Sequence, residues 1–461
     1  MRRRELLFGA AAGSLLSCAP AIRRRGPAIT HGLQVGDVTG GRALVWARCA
    51  EPARLVVEWD TSQRFGAPRR VVGPVALPDR DHTAIAELTG LPDGQTVVVR
   101  ARFEREAERG TGNWEHARFR TVGAAPFRFA WTGDTCGQGF GRNPEWGGMR
   151  GYAAIRAAEP AFLLHSGDLI YADNPILAEM KTHDGRLWRN LTNERVARVA
   201  QELDDFRARF QYNLEDEHVR ALAAEVPILA QWDDHETHNN WWPGQQLADD
   251  RYDKQRDATI LAGYAMRALR EWTPVRGDTI RRVVSYGPLL DVIVVDLRSF
   301  RTPNDDNRGD GGIMFGAPQA AWLVEQLAAS KARWKIVACD QPLSLVIPDG
   351  PKNERQEGFA NGDGPPLGRE KELAGILAAL AQRGVKNTVW LTADVHYAAA
   401  HHYDPARATG ATLLPFWEFV AGPIHAGTFG PAPLDPTFGS EVKFQWVPPA
   451  GTGNLAPWDG L

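Results

Sequence analysis

Cysteine is scarce in this 461-residue chain: Cys18, Cys49, Cys136 and Cys339 are the only four, and they stand far apart. Such spacing excludes a disulfide framework, although one pair could form in an oxidising compartment. Basic charge is not in excess either, with 53 Lys and Arg against 56 Asp and Glu and a formal net charge of −3. A protein that holds nucleic-acid backbones needs a cationic face, so small molecules are the better class of partner. Low-complexity tracts and repeats of fixed short period are absent. The apolar stretch that ends at Cys18 is too short to cross a bilayer as a mature helix. Even so, 43% of the residues are hydrophobic, ample for the cores of two globular domains.

The first residues, Met1 to Phe8, carry Arg2, Arg3 and Arg4 ahead of a small-residue apolar stretch that ends at Leu15, Leu16, Ser17 and Cys18. This pattern reads as a secretory signal over residues 1–26. Arg3-Arg4 before Glu5-Leu6-Leu7 resembles a twin-arginine export signal, and Leu15 to Cys18 resembles a lipoprotein cleavage box, with an ordinary peptidase site nearby as the alternative. The expected location is the cell envelope, periplasmic or secreted, with lipid attachment at Cys18 left open.

Residues 27–123 alternate apolar and polar side chains in short runs, such as Arg54-Leu-Val-Val-Glu-Trp59 and Thr96-Val-Val-Val-Arg-Ala-Arg-Phe103, broken by turn signals at Gly40-Gly41 and Pro92-Asp93-Gly94. That pattern predicts an antiparallel β-sandwich whose role is support or surface contact. Residues 124–461 instead alternate strand-like runs with helical ones at 148–158, 194–225, 251–272, 317–332 and 368–384, which predicts a sheet covered by helices. Further strands are expected at 283–285, 289–295, 334–338 and 416–420. A loop at 304–312 is dense in Asp, Asn and Gly but lacks EF-hand spacing, so a solvated turn is expected. The longer loop at 342–367 is expected to form a rim or lid.

Four acids, Asp134, Asp168, Asp234 and Asp394, each sit near the end of an apolar run beside another metal-capable side chain. Parallel strands in an α/β sheet end along one rim, where ligands and catalytic groups collect. The four should therefore meet. Asp168 is a natural bridging carboxylate, because Gly167 before it lets the backbone turn tightly. Tyr171 follows three residues later, and a phenolate is a strong ligand for ferric iron. Cys136, two residues beyond Asp134 in an extended chain, should share its face. The same spacing relates Asp394 and His396. His235, next to Asp234, is placed to meet a leaving-group oxygen or the phosphate. Arg142, Arg298 and Arg301 are candidate phosphate clamps, with a structural ion pair as the competing reading for each. Trp241 and Trp242 either wall the cleft or pack. His401, His402, Glu418 and His425 rank below the main cluster.

Gly167-Asp168-x-x-Tyr171, then Asp234-His235-Glu236, then Asp394-x-His396, in that order, resemble the calcineurin-like metallophosphoesterase superfamily and especially its PhoD-type alkaline phosphatases. The most specific pieces are Trp232 to Glu236 with Asn239 and Asn240, Val295 to Arg298 with Arg301, and Ala393 to Tyr397. The likeness covers residues 30–461. It implies an α/β fold with a metallophosphoesterase-type β-sandwich core flanked by helices, preceded by a small all-β domain of immunoglobulin or fibronectin type. It also implies a secreted phosphomonoesterase and phosphodiesterase with an Fe(III) and Ca(II) centre. Its ligands would be Asp134, Cys136, Asp168, Tyr171, Asp234, Asp394 and His396. Asp234 stands where the wider superfamily has Asn, and Asp394-x-His396 where it has His-x-His. Carboxylates in those places harden the second metal pocket and favour Ca²⁺ over Zn²⁺. No serine stands in a suitable motif, so attack on the phosphate is expected to be direct and in line. The expected substrates are small-molecule or lipid phosphate esters and the expected state a monomer; rival readings are a phospholipase-type phosphodiesterase and a metal-stabilised surface-binding protein without activity. The resemblance also implies a closing hairpin beyond Trp458 to Leu461, so the C-terminal edge is expected to be incomplete.

Overall fold

The computed structural model describes residues 26–105, 111–449 and 452. The expected export signal, with Arg3, Arg4 and Cys18, and the end at Trp458 to Leu461 lie outside the described residues. Among the described residues no helix is long and apolar enough to cross a membrane.

The N-terminal region forms two antiparallel layers. Strands Arg69–Ala76, Ala53–Asp60, Thr96–Glu104 and Glu115–Arg120 make one, in that order, and Gln34–Thr39, Arg42–Arg48 and Thr83–Leu88 the other. Alternate residues of both layers, among them Val35, Val45, Leu55, Val57, Val97, Val99 and Phe103, close into a shared core. Gly40 and Gly41, with φ of +49° and +74°, supply the two left-handed residues of the hairpin whose ends Thr39 and Arg42 pair.

The layer that begins with Gln34–Thr39 does not stop at the expected domain boundary. It continues through a parallel bridge, Gly36 to Ile228, into strands Ile228–Gln231, Leu163–Ser166, Ala130–Thr135 and Pro423–His425, making one seven-stranded sheet. Glycine permits the contact, since a Cβ at position 36 would come within 2.9 Å of the Ile228 carbonyl oxygen.

A second seven-stranded sheet runs in the order Arg282–Tyr286, Leu290–Val294, Trp334–Ala338, Thr388–Thr392, Phe416–Val420, Ala398–Tyr403, Ser440–Trp446. Leu290–Val294 through Phe416–Val420 are parallel neighbours. The two sheets face each other across Leu164 and Leu229 on one side and Val292, Val294, Ile336 and Leu391 on the other. Helices Ala317–Ala329 and Glu370–Gln382 cover the outer face of the second sheet with Leu323, Leu327, Leu373, Ile376 and Leu380, packed over Ile293, Val337 and Trp390. The result is the expected α/β sandwich flanked by helices.

Helix limits depart from the periodicity where caps decide them. The stretch 194–225 becomes two helices, Leu203–Leu214 and Glu217–Glu225. Glu202 and Asp205 form a reciprocal capping box at the first, and the Asp216 carboxylate accepts N–H bonds from His218 and Val219 at the second. The stretch 251–272 becomes helical only at Ala258, after the Asp257 N-cap.

Buried polar contacts fasten the N-terminal layers to the rest. The Asp37 carboxylate, fully buried, accepts from Arg282 Nε at 2.9 Å and Nη2 at 3.0 Å and from the Arg276 N–H at 2.7 Å. Trp46 Nε1 donates to the Glu271 carbonyl at 2.7 Å, and His31 meets the edge of Trp272 at 5.4 Å. Asp37→Ala leaves Arg282 without its partner and is expected to destabilise the whole chain by about 3–5 kcal/mol in denaturant unfolding. Burial, reinforced by Arg48 and Arg220, lowers the His31 pKa to about 4. A depressed histidine costs stability as the unfolded chain takes up its proton, so this contribution is whole above pH ~6.5 and declines as pH falls toward 4. Unfolding of the wild type and His31→Gln at pH 7.5 and pH 5 is expected to show a smaller acid loss in the variant.

Candidate metal centre

Six parallel strands deliver their last residues to one rim. Asp134 ends Ala130–Thr135, Asp168 follows Leu163–Ser166, and Asp233 and Asp234 follow Ile228–Gln231. From the second sheet come Asp296 and Arg298 after Leu290–Val294, Asp340 after Trp334–Ala338, and Asp394 and His396 after Thr388–Thr392. Gln231 binds the two sheets there, its Nε2 donating to the carbonyls of Val295 at 3.0 Å and Ala338 at 3.1 Å. The backbone turns sharply at the rim: Asp134, Asp168, Asp394 and His396 all have positive φ, between 50° and 70°. Asp and His tolerate the left-handed region better than most residues, at a cost of about 1–3 kcal/mol each. Gly167, at φ +90°, lies so close to Asp233 that a Cβ would collide with its side chain and stand 2.7 Å from its backbone nitrogen. Its lack of a side chain brings Asp168 beside Asp233 and Asp234.

Two groups of ligating atoms result. In the first, Tyr171 Oη donates to Asp134 Oδ2 at 2.6 Å and lies 2.9 Å from His396 Nε2, which is itself 2.8 Å from Asp134 Oδ2. The Gly427 carbonyl engages His396 Nδ1 and turns Nε2 toward the carboxylate. Three atoms suited to one cation therefore converge. In the second, ligand atoms of Asp168, Asp234 and His235 lie within 4.8 Å of one another, as do those of Asp233, Asp234 and Asp394.

The electrostatics fit a site that holds cations. Burial, then Asp234 and Asp233, drive the Asp168 pKa well above the usual carboxylate range, and burial, then Glu357 and Asp233, do the same to Asp394. Oδ1 of Asp234 and Oδ2 of Asp233 are buried without a hydrogen-bond partner. Buried acids crowded this closely with unused lone pairs favour either protons or metal ions. Around them opens a cavity of about 690 Å³, lined by Asp173, Asp234, Asp249, Glu357 and Asp394 among others. Phosphate entering such an acidic cleft would be repelled unless cations offset the carboxylates.

His235 lines that cavity with its ring stacked on Tyr171, centroids 4.0 Å apart. Asp173 Oδ1 holds its Nδ1 at 2.7 Å and leaves Nε2 free of that contact. Burial lowers the His235 pKa, but Asp173 and Asp234 outweigh it and push it up to about 10.

Three expectations need correction. Cys136 does not share a face with Asp134, because both residues have positive φ and the chain is not extended there. Its thiol instead donates to Asn213 Oδ1 at 3.2 Å within the apolar core, and burial raises its pKa. Arg142 does not line the cavity; it pairs with Glu215 at 2.6 Å over the Tyr212 ring. Arg298 is at the cluster but beneath it, fully buried, where its Nε donates to Asp233 at 2.6 Å and its Nη1 to Glu357 at 2.5 Å. Asp340, Asp394 and Asp234 stand within 4.0 Å of the same guanidinium, at 3.5, 3.7 and 3.9 Å. It is a counter-charge for the acids, and Arg301 shares Glu357 with it at 3.0 Å. Trp241 packs against Trp232, and His401 is closed off by Glu418, which also takes the Tyr403 hydroxyl at 2.6 Å.

Several participants lie outside the expected ligand set, although Glu236 belongs to the Asp234-His235-Glu236 motif. Glu236 accepts N–H bonds from Asp168, Leu169 and Asp233 at 3.1, 2.6 and 2.7 Å, fixing two strand ends at once. Asp173 orients His235 and takes the Asn239 N–H at 2.9 Å. Glu357 arrives from the long loop. Asp340 was detectable, since it too follows an apolar strand.

The loop at 342–367 is a tethered rim. Pro348–Asp349 pairs with Arg355–Gln356, and Asp349 accepts from Asn240 Nδ2 at 2.9 Å and Asn304 Nδ2 at 3.0 Å. The 304–312 loop is thus only partly solvated: Asn304 and Asn307 are buried and hold neighbouring chain.

The chain matches the family model for the PhoD-like phosphatase over residues 129–449 and that for the PhoD-like phosphatase N-terminal domain over residues 16–123. It is 25% identical over 430 residues to alkaline phosphatase D of Bacillus subtilis (strain 168), covering 87% of this chain and 70% of that protein. In fold it is similar to a solved structure of PhoD, with a TM-score of 0.68 and 20% identity over 88% of this chain and 79% of that one. A purple acid phosphatase from yellow lupin (Lupinus luteus) seeds also shares the fold, with a TM-score of 0.61 and 13% identity over 92% of this chain and 69% of that one.

The two arginines separate experimentally. Arg298→Met strips the buried acids of their counter-charge and is expected to cost about 3–5 kcal/mol in denaturant unfolding. Arg142→Met removes a pair whose acid is part-exposed, with an expected loss of about 1 kcal/mol or less.

Proposed function

The chain belongs to the PhoD-like phosphatase family and is a phosphoric ester hydrolase, and from that premise we propose a cell-envelope enzyme that uses an Fe(III) and Ca(II) centre for in-line attack on phosphate esters. The observation that carries the reading is the meeting of Asp134 Oδ2, Tyr171 Oη and His396 Nε2 next to the Asp168, Asp234 and Asp394 carboxylates.

Tyr171, Asp134 and His396 would hold the ferric ion, for which a phenolate is a strong partner. Asp234 and Asp394 would hold calcium, a hard cation that prefers oxygen donors, with Asp168 placed between the two. Cations bound there would offset phosphoryl charge and lower the pKa of a water molecule. The chain's own residues supply the remainder. Asn240 donates its backbone N–H to Asp234 Oδ2 at 2.5 Å and fixes the carboxylate. His235, oriented through Nδ1 by Asp173, has Nε2 available to give a proton to the departing alkoxide. Arg298 steadies the acids from beneath and has no direct part in holding phosphate. The envelope location rests on the Arg3-Arg4 signal in residues 1–26.

Elemental analysis of protein purified from its own cell envelope, paired with a phosphomonoester and phosphodiester panel, tests this. Iron and calcium, turnover at alkaline pH, and a visible tyrosinate-to-iron absorption band lost in Tyr171→Phe are expected. Asp168→Asn is expected to lower kcat at least 100-fold while the protein stays folded. Iron-loaded protein without the band would remove Tyr171 from the ligand set, and metal-loaded protein without turnover would overturn the hydrolase reading.

A further inference from the structure

The cavity above the carboxylates has a second wall of opposite chemistry. Against the acidic side stand Val346, Ile347, Pro348, Tyr397, Phe429 and Ala432. This wall begins at the metal-binding group itself, since the Phe429 ring lies 4.3 Å from the His396 imidazole. It is built in advance of any ligand. The Val346 N–H donates to the Pro433 carbonyl at 2.9 Å, Leu345 bridges to Leu434, and Tyr397 Oη accepts the Ala432 N–H at 3.2 Å. Leu345, Val395, Tyr397, Ala399 and Val420 form a separate apolar cluster behind it.

The rest of the lining says what the wall does not suit. Among the described residues no lysine lines the cavity, and the arginine that does, Arg251, is held by Asp249 through contacts of 2.6–3.0 Å. A second phosphate or carboxylate on the substrate would face the Asp173 and Asp249 carboxylates there. A polyol would lose water against Val346, Ile347 and Phe429, whose side chains offer it no hydrogen bond.

We propose that this wall is the leaving-group subsite and that it selects phosphate esters of uncharged apolar alcohols, alkyl or aryl, over esters of polyols and over substrates with a further anionic group. The proposal rests on the hydrolase reading above and names the alcohol half of the substrate. Its energetic basis is burial of apolar surface, which is worth about fourfold in kcat/KM for each methylene that reaches the wall.

The test uses the metal-loaded full chain and a series of ethyl, butyl, hexyl and phenyl phosphates beside glycerol phosphate and ADP. Rising kcat/KM from ethyl to hexyl, with phenyl phosphate well above glycerol phosphate and ADP, is the expected result. Phe429→Ala and Ile347→Ser are each expected to flatten that slope. Inhibition constants for the matching alkylphosphonates are expected to follow the same order, which reads the subsite by binding alone. Turnover with a flat series, or a preference for glycerol phosphate or ADP, overturns the subsite and leaves the hydrolase intact. Absence of turnover across the whole panel overturns both.

Discussion

Buried negative charge gathered at one sheet rim is the constraint on which the rest of this molecule depends. Asp134, Asp168, Asp233, Asp234, Asp340 and Asp394 are brought together with Glu236 and Glu357, and most are removed from water. Left alone they would repel one another strongly in a medium of reduced dielectric. The fold answers in two ways: Arg298 neutralises the group from below, and peptide N–H groups engage particular oxygens, as Asn240 does for Asp234. What remains above the guanidinium is an unbalanced set of oxygens facing the cleft, and that imbalance is the chemical basis for binding cations and, through them, phosphate.

Most of the scaffold can be read from alternation and apolar runs. The strand at Trp334–Ala338 and that at Phe416–Val420 have the expected limits, and the carboxylates that follow strands reach a common rim because their strands are parallel. The same reasoning points to Asp340, which lacks a companion histidine, cysteine or tyrosine and so does not stand out. Cys136 misleads for a definite reason: an i, i+2 argument assumes extended backbone, and left-handed residues at both 134 and 136 break it. Arg142 misleads because a guanidinium in a glycine-rich loop carries no sign of Glu215, which lies on a distant helix end.

Long-range contributions are the part that local pattern cannot show. Glu357 reaches Arg298 from a loop 59 residues on, and Glu236 clamps a peptide 68 residues earlier in the chain. The union of the N-terminal layers with the first catalytic sheet is equally silent, because Gly36 looks like an ordinary strand glycine until Ile228 is beside it. These residues act through partners brought near by topology, so their identity becomes meaningful only with the fold.

Strand order also sets the time at which this protein can come into being on the ribosome. Thr132, two residues before the first rim acid, donates to the Gly422 carbonyl 290 positions further along the chain, and His396 leans on Gly427. A nascent chain halted before that point owns the early acids without the frame that aims them, and contacts of such separation form slowly. The complete cluster, His396 included, is therefore assembled only once the chain has been made as far as Gly427.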